Sequence, residues 1–233
     1  MDYRYVDPPT PGWARWRSLY RHHAGLSVLR VLEYEKLAQQ PLAGRVLDVG
    51  GGRNARYLSQ LPADITLESV NIDPKIDPTH LITPGAPFPM ADDSYDMSIC
   101  LNTLEHVYDG AAVLAEIFRV LKPGGTVYVT VPFIFRIHAH PDDYFRATPS
   151  WWRETFRRAG FSGLTLQPLV WGRQTTAGMI TGYRGPFPRG QFHLAHLRDL
   201  AYARLTRCGA TYSGRRGERI CAVAPGWFLT GVK

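Results

Sequence analysis

The sequence predicts an α/β protein built on a doubly wound parallel sheet with helices on both faces. Three observations predict it. Apolar, β-branched runs alternate with amphipathic stretches between residues 45 and 171, and such alternation builds a parallel sheet through right-handed crossovers. The first run, Arg45 to Val49, turns at once through Gly50, Gly51 and Gly52 into a stretch that reads as a helix. Hydrophobic residues make up 45% of the 233, so a full core needs neither disulfide nor metal.

The elements follow in order. Residues 1 to 12 are proline-rich and read as irregular. Residues 13 to 39 read as two helices around Gly25, with Leu26, Leu29, Leu32 and Leu37 as an apolar stripe ended by Pro41 and Gly44. Strands are expected at 45–49, 67–72, 80–83, 96–101 and 126–131, with helices at 53–61 and 111–121. Lys122-Pro123-Gly124-Gly125 ends the second of these helices. A further helix over 150–159, capped at Thr148-Pro149-Ser150 and closed by Gly160, precedes a sixth strand over 162–171. Residues 172–219 read as an insertion that becomes helical, with Leu194, Leu197, Leu200, Ala201 and Leu205 as its apolar side. A lid, a membrane-surface helix and a plain amphipathic helix against the core all fit it. Residues 220–232 are apolar enough for a last strand. The chain thus divides into an N-terminal helical segment (1–41), a core (42–171), the insertion (172–219) and a closing strand (220–233) within one domain.

The glycine turn carries the chemistry. Gly50-Gly51-Gly52-Arg53-Asn54-Ala55 fits the dinucleotide fingerprint, and Asp73 lies at the distance of a ribose-binding acid. A nicotinamide oxidoreductase is therefore one reading. Asp48 opposes it, because an acid two residues before the first glycine repels a pyrophosphate. It suits a cationic ligand such as S-adenosylmethionine, which carries an ammonium and a sulfonium and no phosphate. Three glycines without a ligand would weaken the junction for no local gain.

At this point a family resemblance emerges. Val46-Leu47-Asp48-Val49-Gly50-Gly51-Gly52 resembles the first motif of class I S-adenosylmethionine-dependent methyltransferases, in particular their type-11-like, small-molecule subset. Val70-Asn71-Ile72-Asp73 resembles their second strand with its ribose acid. Pro87 to Asp96, Leu104-Glu105-His106-Val107 and Phe118 to Gly125 follow in the family's order, and the likeness spans about residues 42 to 171. It implies a Rossmann-like, seven-stranded, mostly parallel sheet whose last strand pairs antiparallel at the edge. Two departures stand out: Asn54 where the family has a further glycine, and no acid in Leu81 to Gly85, which leaves the Thr83 hydroxyl or backbone atoms to meet the adenine.

The resemblance implies S-adenosylmethionine as cofactor. Asp48 would draw its amino group; Gly50, Gly51 and Gly52 would offer backbone contact; Asp73 would accept from both ribose hydroxyls. Asn102, after the fourth strand, is expected as a polar cofactor contact, and Glu105 with it, one of Glu105 and His106 facing the cofactor while the other pins the loop. The loop Pro132 to Pro149 resembles one in a bacterial subset of these enzymes, with His138, Pro141, Asp143, Arg146 and Thr148 matching. His138 or His140 is the candidate base, Asp143 its orienting acid and Arg146 a fork for an anionic group. A rigid loop in which Asp143 and Arg146 pair and His138 bonds the backbone is the plainer alternative. His138 and His140 near Asp142 and Asp143 also offer metal-ligand types, but no other ligand cluster in the sequence joins them, and a site without a metal is expected.

The acceptor expected is oxygen or nitrogen of a small or lipid-linked molecule. A net charge of +7 admits an anionic acceptor, RNA, protein or peripheral contact with a membrane surface. A separate nucleic-acid module and the Asn/Asp-Pro-Pro-Tyr/Phe motif of base methyltransferases are both missing. A cofactor-binding scaffold without catalysis is the reading from another class. Cys100, Cys208 and Cys221 are far apart and suit free thiols. The first residues lack an apolar signal segment, and no run is long enough to span a bilayer, so a cytoplasmic protein is expected. The oligomeric state is not legible.

Overall fold

The computed structural model describes residues 4–22, 25–138, 142–183 and 186–233. Its strands are β1 (Arg4–Tyr5), β2 (Arg45–Val49), β3 (Thr66–Asn71), β4 (His80–Leu81), β5 (Tyr95–Leu101), β6 (Leu121–Pro132), β7 (Ser162–Leu169) and β8 (Gly226–Val232). They form one sheet in the order β1-β7-β8-β6-β5-β2-β3-β4. All pairs are parallel except β8, which runs antiparallel to both β6 and β7. The chain leaves β2 toward β3 and β4, then returns to add β5 and β6 on the other side. The strand order reverses between β2 and β5, and at such a switch point the carboxyl ends of the strands open a crevice for a ligand.

The expected α/β class and antiparallel last strand are present, with two corrections. Among the described residues the strands number eight, because the proline-rich start supplies β1, paired with β7 and tied down by Gln167 Nε2 donating to the Asp7 carbonyl at 3.3 Å. And β8 lies inside the sheet rather than at its edge, because β7 and then β1 extend the sheet beyond it. Trp227, Phe228 and Leu229 on β8 are accordingly buried.

The helices are α1 (Trp13–His22), α2 (Val28–Leu37), α3 (Gly110–Val120), α4 (Pro149–Ala159), α5 (Arg173–Thr181), α6 (Pro188–Leu205) and α7 (Gly214–Cys221). The helix expected after the glycine turn is only a short 3-10 segment, Arg56–Gln60. Its brevity has a cause: Ala55 offers no capping side chain, and Pro62 holds Leu61 extended at ψ 149°.

Two apolar layers sandwich the sheet. One gathers Leu114, Ile117 and Val120 of α3 with Trp152 and Phe156 of α4. The other gathers Leu29, Val31, Leu32 and Leu37 of α2 with Trp171 and Phe228. In the insertion α6 buries Ala195, His196, Asp199, Leu200 and Ala203, while Leu194, Leu197 and Leu205 of the expected apolar side are exposed. The helix is rotated because its polar residues have partners beneath it. Asp199 accepts from Thr175 N, Thr175 Oγ1 and Gln174 N at 2.7–3.0 Å, capping the start of α5. His196 Nε2 meets the Tyr20 hydroxyl of α1 at 2.6 Å. Ile220, expected in the last strand, lies in the last turn of α7 instead. None of the described helices is long and apolar enough to cross a membrane.

Candidate active site

Asp48 ends up beneath the glycine turn. It is 1% exposed, the Tyr57 hydroxyl donates to its Oδ2 at 2.6 Å, and its Oδ1 has no partner. Burial pushes its carboxyl up to about 7, against the pull of the tyrosine bond. Gly50 sits at φ +88°, a backbone conformation that favours glycine. A Cβ on Gly51 would lie 1.8 Å from Asp48 Oδ2, and one on Gly52 2.3 Å from the Ile76 carbonyl oxygen. The three glycines therefore do have a local cause inside the protein, which corrects the expectation that only a ligand could justify them.

Around that turn the structure gathers residues from β3 and β5. Asn71 Nδ2 donates to the Gly50 carbonyl at 2.6 Å, locking the turn to the end of β3. Asp73, just beyond, accepts from Lys75 N through Oδ1 at 2.9 Å and so caps the 3-10 turn Pro74–Ile76. The Thr103 hydroxyl donates to the Val49 carbonyl at 3.2 Å, linking β5 to the same turn. Thr83 stands exposed after β4, its carbonyl accepting from Ala86 N at 3.1 Å.

Asn102 takes φ 47° just after β5, and its amide reaches α2. There Asn102 Nδ2 donates to Glu33 Oε2, and the Thr130 hydroxyl donates to the same oxygen at 2.9 Å. Glu33 is wholly buried; Arg30 reaches its other oxygen at 3.3 Å. Burial pushes the Glu33 carboxyl up, against these bonds.

Glu105, His106 and His138 converge next. Glu105 is 1% exposed and neither carboxylate oxygen has a hydrogen-bond partner. His106 Nε2 and His138 Nε2 stand 3.6 and 3.8 Å from Glu105 Oε1, and the three ligand-type atoms lie within 4.8 Å of one another. Burial pushes the Glu105 carboxyl up to about 8 and the His138 imidazole down. The loop after β6 is tied to this point by Tyr144 N donating to the Glu105 carbonyl at 2.8 Å.

Asp143 and Arg146 pair with each other. Arg146 Nη2 donates to Asp143 Oδ2 at 2.5 Å and Nη1 to Oδ1, and Asp143 Oδ2 also accepts from His138 N at 2.9 Å. Burial raises the Asp143 carboxyl, but the Arg146 and His138 bonds outweigh it and hold it below its usual value. The guanidinium fork expected to meet an anion is thus occupied by Asp143. His140 lies outside the described residues.

Glu33, Arg30 and Tyr57 were missed by the sequence reading. Glu33 had a signal: a carboxylate four residues after Leu29 and four before Leu37, on the apolar stripe of α2, has to be buried with partners. Tyr57 had none beyond its position in an expected amphipathic stretch. A cleft of about 430 Å³ lined by Gly172, Arg173, Arg198, Asp199, Tyr202 and Tyr212 shares no residue with the site.

A Rossmann-like sheet with a buried acid at the end of its first core strand and a glycine turn at the switch point defines a nucleoside-cofactor fold of the class I methyltransferase type. Residues 47–129 match the family model described as a methyltransferase domain. It is 29% identical over 135 residues (52% of this chain, 48% of the relative) to a probable S-adenosylmethionine-dependent methyltransferase of Mycolicibacterium smegmatis. It is 30% identical over 115 residues (42% and 47%) to a ubiquinone biosynthesis O-methyltransferase of Xanthomonas axonopodis pv. citri. The chain therefore spans about half the length of these relatives. Among solved structures, a possible histamine N-methyltransferase from Thermotoga maritima superposes with TM-score 0.54 at 16% identity, covering 95% of this chain and 94% of that one. A complex between the Haloferax volcanii Trm112 methyltransferase activator and a putative methyltransferase gives 0.55 at 20%, covering 93% and 94%. These likenesses establish the fold.

Proposed function

We propose that the protein transfers a methyl group from S-adenosylmethionine to oxygen or nitrogen of a small or lipid-linked acceptor. The observation that carries this reading is the unpartnered Oδ1 of Asp48, whose buried carboxylate packs under Gly51 at the switch point. A buried acceptor atom without a donor is costly, and the ammonium of the cofactor is a donor of the right charge. The methyltransferase-domain match over residues 47–129 supports the same cofactor. The Xanthomonas relative, named for O-methylation, supports oxygen as the acceptor atom.

In this reading Asp48 binds the amino group, the backbone of Gly50, Gly51 and Gly52 flanks the amino-acid end, and Asp73 accepts from the ribose through the oxygen that Lys75 N leaves free. The exposed Thr83 hydroxyl serves the adenine in this reading. Asn102 contributes its main chain, since Glu33 holds its side chain. When bound, the cofactor supplies a methyl group already activated by sulfonium charge, so transfer is an in-line displacement. The protein's task is alignment and exclusion of water. Asp143 and Arg146 act as positioning residues that fix the loop carrying His138, and Glu105, His106 and His138 handle the acceptor. Residues 42–171 bear the cofactor, with 1–41 and 172–219 as helical cover.

Titration calorimetry with S-adenosylmethionine, S-adenosylhomocysteine and NAD tests this reading. Binding of the first two at micromolar concentration, with NAD inert, is expected. Binding of NAD alone would end the proposal.

A further inference from the structure

We propose that Glu105, His106 and His138 form a site for one divalent cation of the zinc class, with the cation's remaining positions open to the acceptor. Only the second clause rests on the methyltransferase reading; the cation site stands on its own geometry.

The argument begins with the two imidazoles. His106 Nδ1 lies 2.5 Å from the Asp142 carbonyl oxygen, which can only accept. His106 therefore carries its ring hydrogen on Nδ1, and Nε2 turns a lone pair toward Glu105. His138 repeats the arrangement. Its Nδ1 lies 3.2 Å from the Arg136 carbonyl and 3.5 Å from Asp143 Oδ2, two acceptors. Arg146 Nη2, at 3.4 Å the donor nearby, is already committed to Asp143. So His138 also protonates Nδ1 and aims the lone pair of Nε2 at Glu105. A backbone carbonyl behind each ring is the outer-shell partner that metal-bound histidines characteristically have.

Three lone-pair-bearing atoms then face one another. His106 Nε2 and His138 Nε2 stand 3.6 and 3.8 Å from Glu105 Oε1, too far for hydrogen bonds and close enough to share one cation. Glu105 is 1% exposed with both oxygens unpartnered. The nearby cations give it no hydrogen bond: Arg146 is engaged by Asp143 and Arg30 by Glu33. A cation with ligand bonds of about 2.0–2.2 Å draws three such atoms to roughly 3–3.5 Å from one another, a closure of a few tenths of an ångström for the two measured pairs. Two imidazoles and one carboxylate are a borderline donor set that suits zinc-class ions better than magnesium or calcium. Three protein ligands leave a tetrahedral ion one open position, where an acceptor hydroxyl would bind and lose its proton more readily. The sequence reading weighed His138 and His140 as ligand types and expected a site without a metal; the fold brings Glu105 and His106 to His138.

The test uses the full chain stripped with a chelator and contains no S-adenosylmethionine, so its outcome is independent of the cofactor calorimetry above. Zinc is titrated against a competing chromophoric chelator. One equivalent bound tightly is expected, weakened by about tenfold or more in Glu105→Gln and in His138→Ala, and unchanged in His193→Gln on α6. Cobalt(II) loaded into the unsubstituted chain gives a second readout that needs no variant: two exchangeable, strongly shifted ring N–H resonances, one per imidazole. Acetohydroxamate, a two-oxygen probe, then alters the cobalt absorption through the open position. Absence of stoichiometric zinc binding in folded protein, equal affinity in all variants, or cobalt protein without the two ring signals would overturn the proposal. Zinc binding with an acetohydroxamate-insensitive cobalt spectrum would overturn the open position.

Discussion

The Tyr57 hydroxyl donates to Asp48 Oδ2 at 2.6 Å while Asp48 Oδ1, in the same carboxylate, has no partner. A tyrosine from the segment after the glycine turn therefore stabilises half of a charge that the turn itself leaves unsatisfied. Burial outweighs that single bond, and the carboxyl titrates at about 7. The charge needed to hold a cationic ligand is thus only half developed at neutral pH.

Affinity for S-adenosylmethionine should consequently rise between pH 6 and 8 as Asp48 ionises, and stay flat over that range in Asp48→Asn. Stability of the ligand-free protein should move the other way. The folded chain holds the Asp48 proton up to about pH 7, whereas the ordinary value is 3.8. The unfolded state therefore binds fewer protons between those limits, and this group's contribution falls as pH rises from about 4 to 7, then levels. Urea denaturation at pH 5 and 8 should show Asp48→Asn removing about 2–4 kcal/mol of that pH dependence. A pH-independent affinity in the unsubstituted protein would refute the ionised Asp48 contact.

Asp73 presents one oxygen to Lys75 N and keeps the other for the ribose in the proposed complex. Its loss should weaken cofactor binding by roughly 1–3 kcal/mol, the range for charged hydrogen bonds. Asp73→Asn separates the two tasks, because its amide oxygen still caps the Pro74–Ile76 turn. Calorimetry should find Asn intermediate between Asp and Ala. Equal affinity for all three would remove Asp73 from the site.

Gly52 reports whether the turn must remain closed against its neighbour. A methyl group there would sit 2.3 Å from the Ile76 carbonyl oxygen and 2.5 Å from Ile76 Cγ2. Gly52→Ala should therefore push the Pro74–Ile76 turn away, destabilise the fold by about 1–3 kcal/mol, and weaken cofactor binding, since Asp73 stands at the start of that turn. Thermal melting and calorimetry on the same preparation check both; an unaltered melting temperature would mean the turn yields freely.

Strands β2 to β7 were legible because burial on both faces makes the middles of β2, β5 and β6 largely apolar, and because a glycine turn after a strand marks a switch point. The position of β8 was not legible, since antiparallel pairing to two neighbours leaves no mark that distinguishes an inner strand from an edge strand. The face of α6 was misread for a physical reason: Asp199 and His196 are buried by partners on α5 and α1, and hydrophobic periodicity cannot see a polar residue that is satisfied across the fold. Of the site, Asp48, Gly50 and Asp73 follow from local spacing. The meeting of Glu105 with His106 and His138, and of Asn102 with Glu33, depends on long-range folding of the loop after β6 and of α2 onto the sheet.

Glu33 gives the sharpest stability test of that second meeting. Its carboxylate, wholly buried, joins α2 to the ends of β5 and β6 through Asn102 and Thr130, with Arg30 at its other oxygen. Removing one member of such a buried network leaves the remaining partners without water to replace it. Glu33→Ala should cost about 3–5 kcal/mol in urea denaturation. Glu33→Gln should cost less, because it keeps an acceptor for Thr130 or Asn102 and loses only the charge facing Arg30. If Ala and Gln proved equally mild, below about 1 kcal/mol, α2 would be held on the sheet by its leucines alone, and the amide of Asn102 would be free to turn into the crevice.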